Sequence, residues 1–457
     1  MNDIKSVLEK QRDFFESGAT RGMGFRIDSL KRLRKAIGEY EGEILDGLKQ
    51  DLNKSSFESY ETELGMVREE LNYCIKHLSK WAKPRRVRTP FTQFPAASYV
   101  YPEPYGCVLV MSPWNYPFQL TIAPLIGSIA AGNCTVLKPS AYSPHTSEAI
   151  AAMIGACFDQ SYIAAVLGGR EANQTLLDEK FDYIFFTGGV TVGKLVMESA
   201  ARHLTPITLE LGGKSPCIVD READIELAAK RITWGKFLNA GQTCVAPDYL
   251  LVHSGVKDEL LGKMARYIRD FYGDDSFGPE SDLPRIVNEK HFHRLQGLMR
   301  QGKIVAGGQF DETTLQIAPT IIDGITWEDP IMQEEIFGPL LPVLTYEDLA
   351  EVVRDVNSRP KPLALYFFSS NRRHQERILK SISFGGGCIN DTIVHLATSY
   401  MPFGGVGESG MGGYHGRASF TTFTHEKSIL KKSNLVDIEL RYPPYRNKLK
   451  LLKKVFG

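Results

Sequence analysis

A chain of 457 residues exceeds what one small core can hold, so two or three domains are expected. Hydrophobic residues make up 43% and charged residues 24%, the balance of a soluble globular protein, and Lys+Arg and Asp+Glu are 54 each, so no bulk field draws in nucleic acid. The seven cysteines are scattered and never form a CxxC pair, which argues against a disulfide scaffold or a zinc site and suits a reducing cytoplasm.

Residues 1–10 read as a charged helix without the apolar core of a signal peptide, and no window approaches the roughly 18 unbroken apolar residues of a membrane span. Residues 3–82 read as helices. Ile27, Leu30, Leu33, Ile37, Ile44 and Leu48 fall at three- and four-residue steps on one face. Residues 85–101, broken by Pro90 and Pro95, read as an extended hairpin. From Tyr105 the pattern alternates. Strands are expected at 106–111, 134–138, 162–167, 183–186 and 207–211, with helices at 118–131, 147–157, 172–177 and 192–202. Such alternation implies a parallel sheet that binds ligands beyond the carboxyl ends of its strands. A second α/β run follows, with a helix at 225–238, a strand at 249–253, a helix at 256–272 and further elements to about residue 396. The last sixty or so residues open on a glycine-rich loop and end in a basic tail.

Several stretches carry possible chemistry. Ser112-Pro113-Trp114-Asn115-Tyr116-Pro117 follows the first strand; it is either a simple turn or a fixed amide donor, Asn115, for a developing oxyanion. Thr187-Gly188-Gly189-Val190-Thr191-Val192-Gly193-Lys194-Leu195 opens a helix where glycines let the backbone approach phosphate. It nearly matches a Walker A loop, but Leu195 stands where the magnesium-binding hydroxyl belongs, so metal-dependent phosphate hydrolysis is disfavoured. A dinucleotide pyrophosphate held without metal remains open, although no GxGxxG opens a βαβ unit.

In Leu209-Glu210-Leu211-Gly212-Gly213-Lys214 a glutamate sits between leucines at a strand end. It is either turned to solvent or buried with a raised pKa suited to a general base. The run Phe237-Leu238-Asn239-Ala240-Gly241-Gln242-Thr243-Cys244 ends a helix in a glycine-containing turn, with one cysteine just beyond. A lone cysteine is commonly a small buried hydrophobe, and alternatively a nucleophile if a base lies near. Glu334-Glu335-Ile336-Phe337-Gly338-Pro339 places a carboxylate and an aromatic ring before a Gly-Pro turn. His291 and His293, two apart on a helix, do not face one way and read as surface residues rather than metal ligands.

Taken together these motifs, with Pro402-Phe403-Gly404-Gly405-Val406-Gly407 and its continuation to Gly416, resemble the aldehyde dehydrogenase superfamily over nearly the whole chain. The wording of the last motif and of Arg441-Tyr442-Pro443-Pro444-Tyr445 is most similar to the class-three branch, which acts on medium-chain, fatty and aromatic aldehydes. The resemblance implies an α/β fold of two doubly wound domains, a modified Rossmann cofactor domain and a catalytic domain, plus a small β oligomerisation element. It assigns residues 1–82 and 104–209 to the NAD(P)-binding domain and 210–397 to the catalytic domain. Residues 83–103 and 398–457 form the oligomerisation element and tail, with a strand near 420–425 completing the hairpin in a homodimer.

Residue by residue, the resemblance makes Cys244 the catalytic thiol, Glu210 the general base, and Asn115 the oxyanion amide, partnered by the Cys244 N–H. Lys138 would hold the adenosine ribose, Gly188, Gly189 and Gly193 the helix start beside the pyrophosphate, and Glu335 and Phe337 the nicotinamide ribose and ring. Trp114 joins the cofactor residues, and no metal is implied. The implied reaction turns an aldehyde into a carboxylate through a thiohemiacetal on Cys244, hydride transfer to NAD or NADP, and a thioester hydrolysed by Glu210-activated water.

In Lys138-Pro139-Ser140-Ala141 the acidic residue many relatives carry after this motif is replaced by Ala141, so NADP is expected to be tolerated beside NAD. A coenzyme-A-acylating enzyme is disfavoured by Glu210, and a non-enzymatic relative by the intact catalytic set. By analogy Tyr60, Tyr116, Trp234 and His395 are candidates for the substrate pocket. The basic amphipathic tail, residues 447–456, is expected to make weak peripheral membrane contact at most.

Overall fold

The computed structural model describes residues 4–278 and 281–456; Met1 to Asp3 of the expected N-terminal helix lie outside them. Residues Cys107–Met111, Cys134–Lys138 and Tyr183–Thr187 are buried on both faces. A strand can be apolar throughout only if helices cover both sides of its sheet. They belong to a six-stranded sheet in the order 410–411, 207–210, 183–187, 107–111, 134–138, 163–165. All neighbours run parallel except the two-residue strand Gly410–Met411, which pairs antiparallel with Leu209 and Glu210.

The helix Gln119–Ala131 is buried along its whole length. It packs against the first sheet on one side and the N-terminal helices Met23–Glu39 and Gly65–Trp81 on the other. That is why no polar stripe is visible in its sequence.

A second sheet of seven strands has the order 303–306, 320–323, 340–346, 249–253, 216–219, 364–368, 386–389. Only its first pair is antiparallel. One core cluster joins the first sheet to one face of this sheet, and another fills the far face around Phe292, Leu295 and Phe367. The expected hairpin is present as Arg85–Val87 and Ala96–Pro104, and Thr424–Lys432 adds to it over nine paired residues.

The strand placed near 420–425 lies at Thr424–Lys432, because residues Arg417–Thr422 form a helix that buries Phe420 and Phe423 against the first domain. A strand at Pro216–Val219, in the centre of the second sheet, goes unanticipated; four residues behind a Gly-Gly-Lys turn are too few to show a period. The strand at 162–167 shortens to Ile163–Ala165, whereas the helix at 172–177 lengthens to Arg170–Asp178. Among the described residues no helix is long and apolar enough to cross a membrane.

Candidate active site

The carboxyl ends of the first sheet's strands deliver the expected residues to one edge. Lys138 ends its strand; its ammonium is buried, donates to the Pro139 carbonyl at 2.7 Å, and is lowered by that burial to about 8. Gly188 follows the strand Tyr183–Thr187, and Gly189 begins the helix Val190–Ala201 with no side-chain cap. A Cβ at Gly189 would meet nothing within 4 Å, so its helix N-terminus presents free N–H groups to open space. Gly193 lies one turn in, where a Cβ would come within 2.7 Å of Leu211. Its smallness lets the helix lie close to the sheet.

Glu210 sits at the end of the neighbouring strand, paired with Thr187 on one side and Gly410 on the other. It is 3% exposed and neither carboxylate oxygen has a hydrogen-bond partner. Burial raises it well above the usual carboxylate range. Unpaired buried carboxylates are rare, since nothing offsets their desolvation when charged.

Cys244 is reached through an unusual turn. The helix Ile225–Phe237 stops, and Asn239, Ala240 and Gly241 follow with φ of 53°, 52° and 69°. Three successive left-handed residues, two of them carrying side chains, store strain of about 1–2 kcal/mol each for the non-glycines. Hydrogen bonds hold them: the Asn239 N–H donates to Glu58 at 2.9 Å, and the Asn239 amide to the Asn115 carbonyl at 2.8 Å. The Gln242 amide spans to the Asn239 and Arg285 carbonyls, and its oxygen accepts from the Val287 N–H. Asn115 in turn donates to the Gln242 carbonyl at 3.0 Å, and the Tyr116 and Thr243 hydroxyls meet at 2.6 Å.

The Cys244 thiol is pushed up to about 12, by burial first and then by the carboxylates of Glu335 and Glu210, while the Cys244 and Val245 N–H groups act the other way. These two N–H groups favour negative charge on the sulfur. Glu335 lies over Gly212, where a Cβ would sit 2.3 Å from its oxygen, and burial, reinforced by Asp248, raises it to about 8. Its loop is held from below: Lys214 donates to the Ile331 and Glu334 carbonyls, Arg294 to the Ile336 carbonyl, and the Ile336 N–H to Asp248. Phe337 packs edge-on against Trp114 at 5.4 Å.

Cys244 and Glu210 line one cavity of about 180 Å³. Its walls include Tyr116, Leu120, Trp234, Leu238, Phe403 and Tyr414. Tyr116 and Trp234 thus line it as expected, whereas Tyr60 and His395 do not. His395 packs instead against Phe403 and Tyr366, with Cys388 at 3.7 Å. His293 is exposed, but His291 is half-buried beside Trp114 rather than a surface residue. Asp248 had no signal in the sequence, and Asn239, Gln242 and Lys214 stood in the motifs without a role of their own. They work through main-chain carbonyls and N–H groups brought together only by folding.

Two α/β sheets beside an apolar cavity that holds a thiol and a buried carboxylate define an α/β enzyme built around a dinucleotide-type domain. The aldehyde dehydrogenase family model matches residues 1–429. The chain is 49% identical over 458 residues, covering all of both chains, to 4,4'-diaponeurosporen-aldehyde dehydrogenase of Staphylococcus aureus. It is 45% identical over 446 residues, 97% of this chain and 98% of the other, to the dimeric NADP-preferring aldehyde dehydrogenase of Rattus norvegicus. The solved substrate-bound state of Staphylococcus aureus AldH superposes with a TM-score of 0.97 at 48% identity, covering 100% of both chains. The chain belongs to the aldehyde dehydrogenase family, most like its class-three members, and is an NAD(P)-dependent aldehyde-oxidising enzyme.

Proposed function

We propose that the enzyme oxidises medium- or long-chain aliphatic or aromatic aldehydes to carboxylic acids, with Cys244 as nucleophile, Asn115 and the Cys244 N–H as oxyanion donors, and Glu210 as base. The observation that carries this reading is that Cys244 and Glu210 line the same apolar cavity. The Cys244 thiol first gives its proton to solvent; the thiolate sulfur then bonds to the aldehyde carbon, and the carbonyl electron pair moves to oxygen, where N–H donors offset its charge. NAD or NADP, when bound, would supply the acceptor for the hydride that this carbon then loses. The carbon left on Cys244 is then a thioester. Glu210 takes a proton from water as the water oxygen bonds to that carbon, and the Cys244 sulfur leaves as thiolate. Burial makes Glu210 a stronger base once it is deprotonated. A cavity of this volume far exceeds the roughly 10–15 Å³ one water needs.

The residues fit the cofactor. The uncapped helix start at Gly189 suits a pyrophosphate, Lys138 a ribose hydroxyl, Glu335 the second ribose, and Phe337 with Trp114 a flat ring. The domains are read as 1–82 with 104–209, 210–397, and 83–103 with 398–457, although Gly410–Met411 and the helix Arg417–Thr422 of the last segment pack onto the first of these. A homodimer is supported by the nine-residue outer edge of Thr424–Lys432, since an edge of that length invites pairing. The seven free cysteines favour a cytoplasmic enzyme. The terminal helix Leu449–Phe456 exposes Leu449, Leu451, Leu452 and Phe456 among lysines, enough for weak peripheral membrane contact at most.

The test is NAD(P)H formation across aldehydes of graded chain length and aromaticity, with wild type and Cys244→Ser. Turnover that survives the substitution would end the covalent reading. A preference for acetaldehyde over octanal or benzaldehyde would overturn the substrate class.

A further inference from the structure

We propose that the buried Lys54–Glu63 ion pair is a positioning pair that fixes the Asn115 turn for catalysis. The proposal rests on the reading of Asn115 as an oxyanion donor.

Both side chains are 0% exposed, and the Lys54 ammonium meets Glu63 Oε1 at 2.7 Å. The other Glu63 oxygen accepts the N–H groups of Phe118 at 2.8 Å and Gln119 at 3.2 Å. Those are the first donors of the helix Gln119–Ala131, which has no cap from its own side chains. A carboxylate at a helix N-terminus is favourable, but a buried one needs a counter-charge. Lys54 is that counter-charge, and it does more. Its ammonium also reaches the Asn115 carbonyl at 3.4 Å and lies 4.2 Å over the Tyr116 ring. The pair therefore grips both ends of the four residues 115–118, the Asn115 carbonyl through Lys54 and the Phe118 N–H through Glu63.

The same short segment reaches the nucleophile loop, for Glu58 accepts the Asn239 N–H at 2.9 Å. Between Glu58 and the following helix the backbone widens into a π-helical turn, Tyr60–Leu64, a distortion found mostly where function fixes geometry. That turn puts Glu63 under the Asn115 turn and puts Glu61 and Thr62 in the cavity wall. Burying an ion pair is a poor way to gain stability, because desolvation offsets most of the attraction and an apolar pair packs as well. Fixing one amide relative to one thiol is a use that an apolar pair would not serve.

Either single substitution strands a buried charge, so Glu63→Gln, whose amide oxygen can still accept the Phe118 N–H, is read beside the apolar double Lys54→Met with Glu63→Leu, which strands none. Each is compared in the full-length enzyme with wild type and Asn115→Ala, reading kcat, KM and the thermal midpoint. The expected result is a 10- to 100-fold loss of kcat in both variants, with KM for aldehyde and cofactor within about threefold. The double variant should melt no more than a few degrees below wild type. Adding Glu63→Gln to Asn115→Ala should cost less than a further threefold. If Asn115→Ala leaves kcat unchanged, the oxyanion reading fails first and this proposal with it. If Asn115→Ala is slow while a folded Glu63→Gln or double variant keeps wild-type kcat, only the positioning proposal is overturned. A Glu63→Gln loss that multiplies fully with Asn115→Ala overturns it as well. If the double variant does not fold, the cycle between Glu63→Gln and Asn115→Ala decides the matter alone.

Discussion

The side-chain amide of Asn115 donates to the main-chain carbonyl of Gln242 at 3.0 Å, which ties the turn after the first strand to the loop that ends in Cys244. An amide carries two N–H groups, so one can hold the loop while the other serves a reacting oxygen. Asn115→Ala removes both at once. The expected outcome is a kcat lower by about 10²–10³, or ~3–4 kcal/mol, with little change in KM. Steady-state kinetics with one good aldehyde measure it, and an Asn115→Ala enzyme with wild-type kcat would contradict the assignment.

Glu210 has no hydrogen-bond partner for either oxygen, so replacing it with Gln disturbs little but the proton chemistry. On the proposed mechanism Glu210→Gln still attacks aldehyde and passes on its hydride. It then stalls as the thioester. Stopped-flow NADH absorbance should rise by about one equivalent per active site and then climb at a rate roughly 10²–10⁴ lower than wild type. A variant with no burst, slowed from the first turnover, would move Glu210 to the acylation step.

How much of this was readable before folding depends on where the signal lies. Cys244, Glu210, Asn115, Lys138 and Glu335 each sit in a local motif, and a motif survives in one dimension. The parallel strands of the first sheet were equally legible, since strands buried on both faces read as continuous apolar runs such as Val108-Leu109-Val110. The helix Arg417–Thr422 was not, because residues 417–425 mix β-branched and aromatic residues and become helical only by docking Phe420 and Phe423 into the first domain. Nor was the network behind Cys244. Lys54, Glu63 and Asn239 meet partners 55 to 181 residues away, and no local pattern encodes which main-chain group a side chain will meet.

The thiol and its two carboxylates make a pH prediction with a definite sign. Cys244 is pushed up to about 12 in part by Glu335, which is itself raised to about 8 and so is charged only above that pH. Glu335→Gln removes a negative charge that disfavours the thiolate, so it should speed alkylation of Cys244 by iodoacetamide above pH 8. Below about pH 7 the wild-type side chain is already neutral, and the two enzymes should react alike. Alkylation rates from pH 6 to 10 without cofactor test this; slower alkylation of the variant at pH 9 would reverse the sign and refute it.

Gly241 is the third left-handed residue of the nucleophile turn, and a Cβ there would lie 2.3 Å from the Gly338 carbonyl oxygen. Gly241→Ala incurs about 1–2 kcal/mol from backbone conformation alone, and the carbonyl it strikes belongs to the loop carrying Glu335 and Phe337. Thermal unfolding should shift to lower temperature, and KM for the cofactor should rise along with the loss of stability. An unchanged midpoint would mean that the turn relaxes freely.

We expect cofactor choice to turn on a single position. Lys138 closes its strand, and Ala141 follows three residues later on the exposed rim of the same edge. A carboxylate at that rim would accept from a ribose 2′-hydroxyl and repel a 2′-phosphate, whereas alanine does neither. The enzyme should therefore use both cofactors, with kcat/KM values less than about a hundredfold apart, which corresponds to roughly 2.7 kcal/mol of transition-state discrimination. Ala141→Glu should restore the repulsion and lower kcat/KM for NADP at least tenfold while leaving NAD within about threefold. The substitution lies on the surface and away from Cys244, so kcat at saturating NAD serves as the internal control. Loss of activity with both cofactors alike would show that residue 141 supports the strand end rather than reading the ribose.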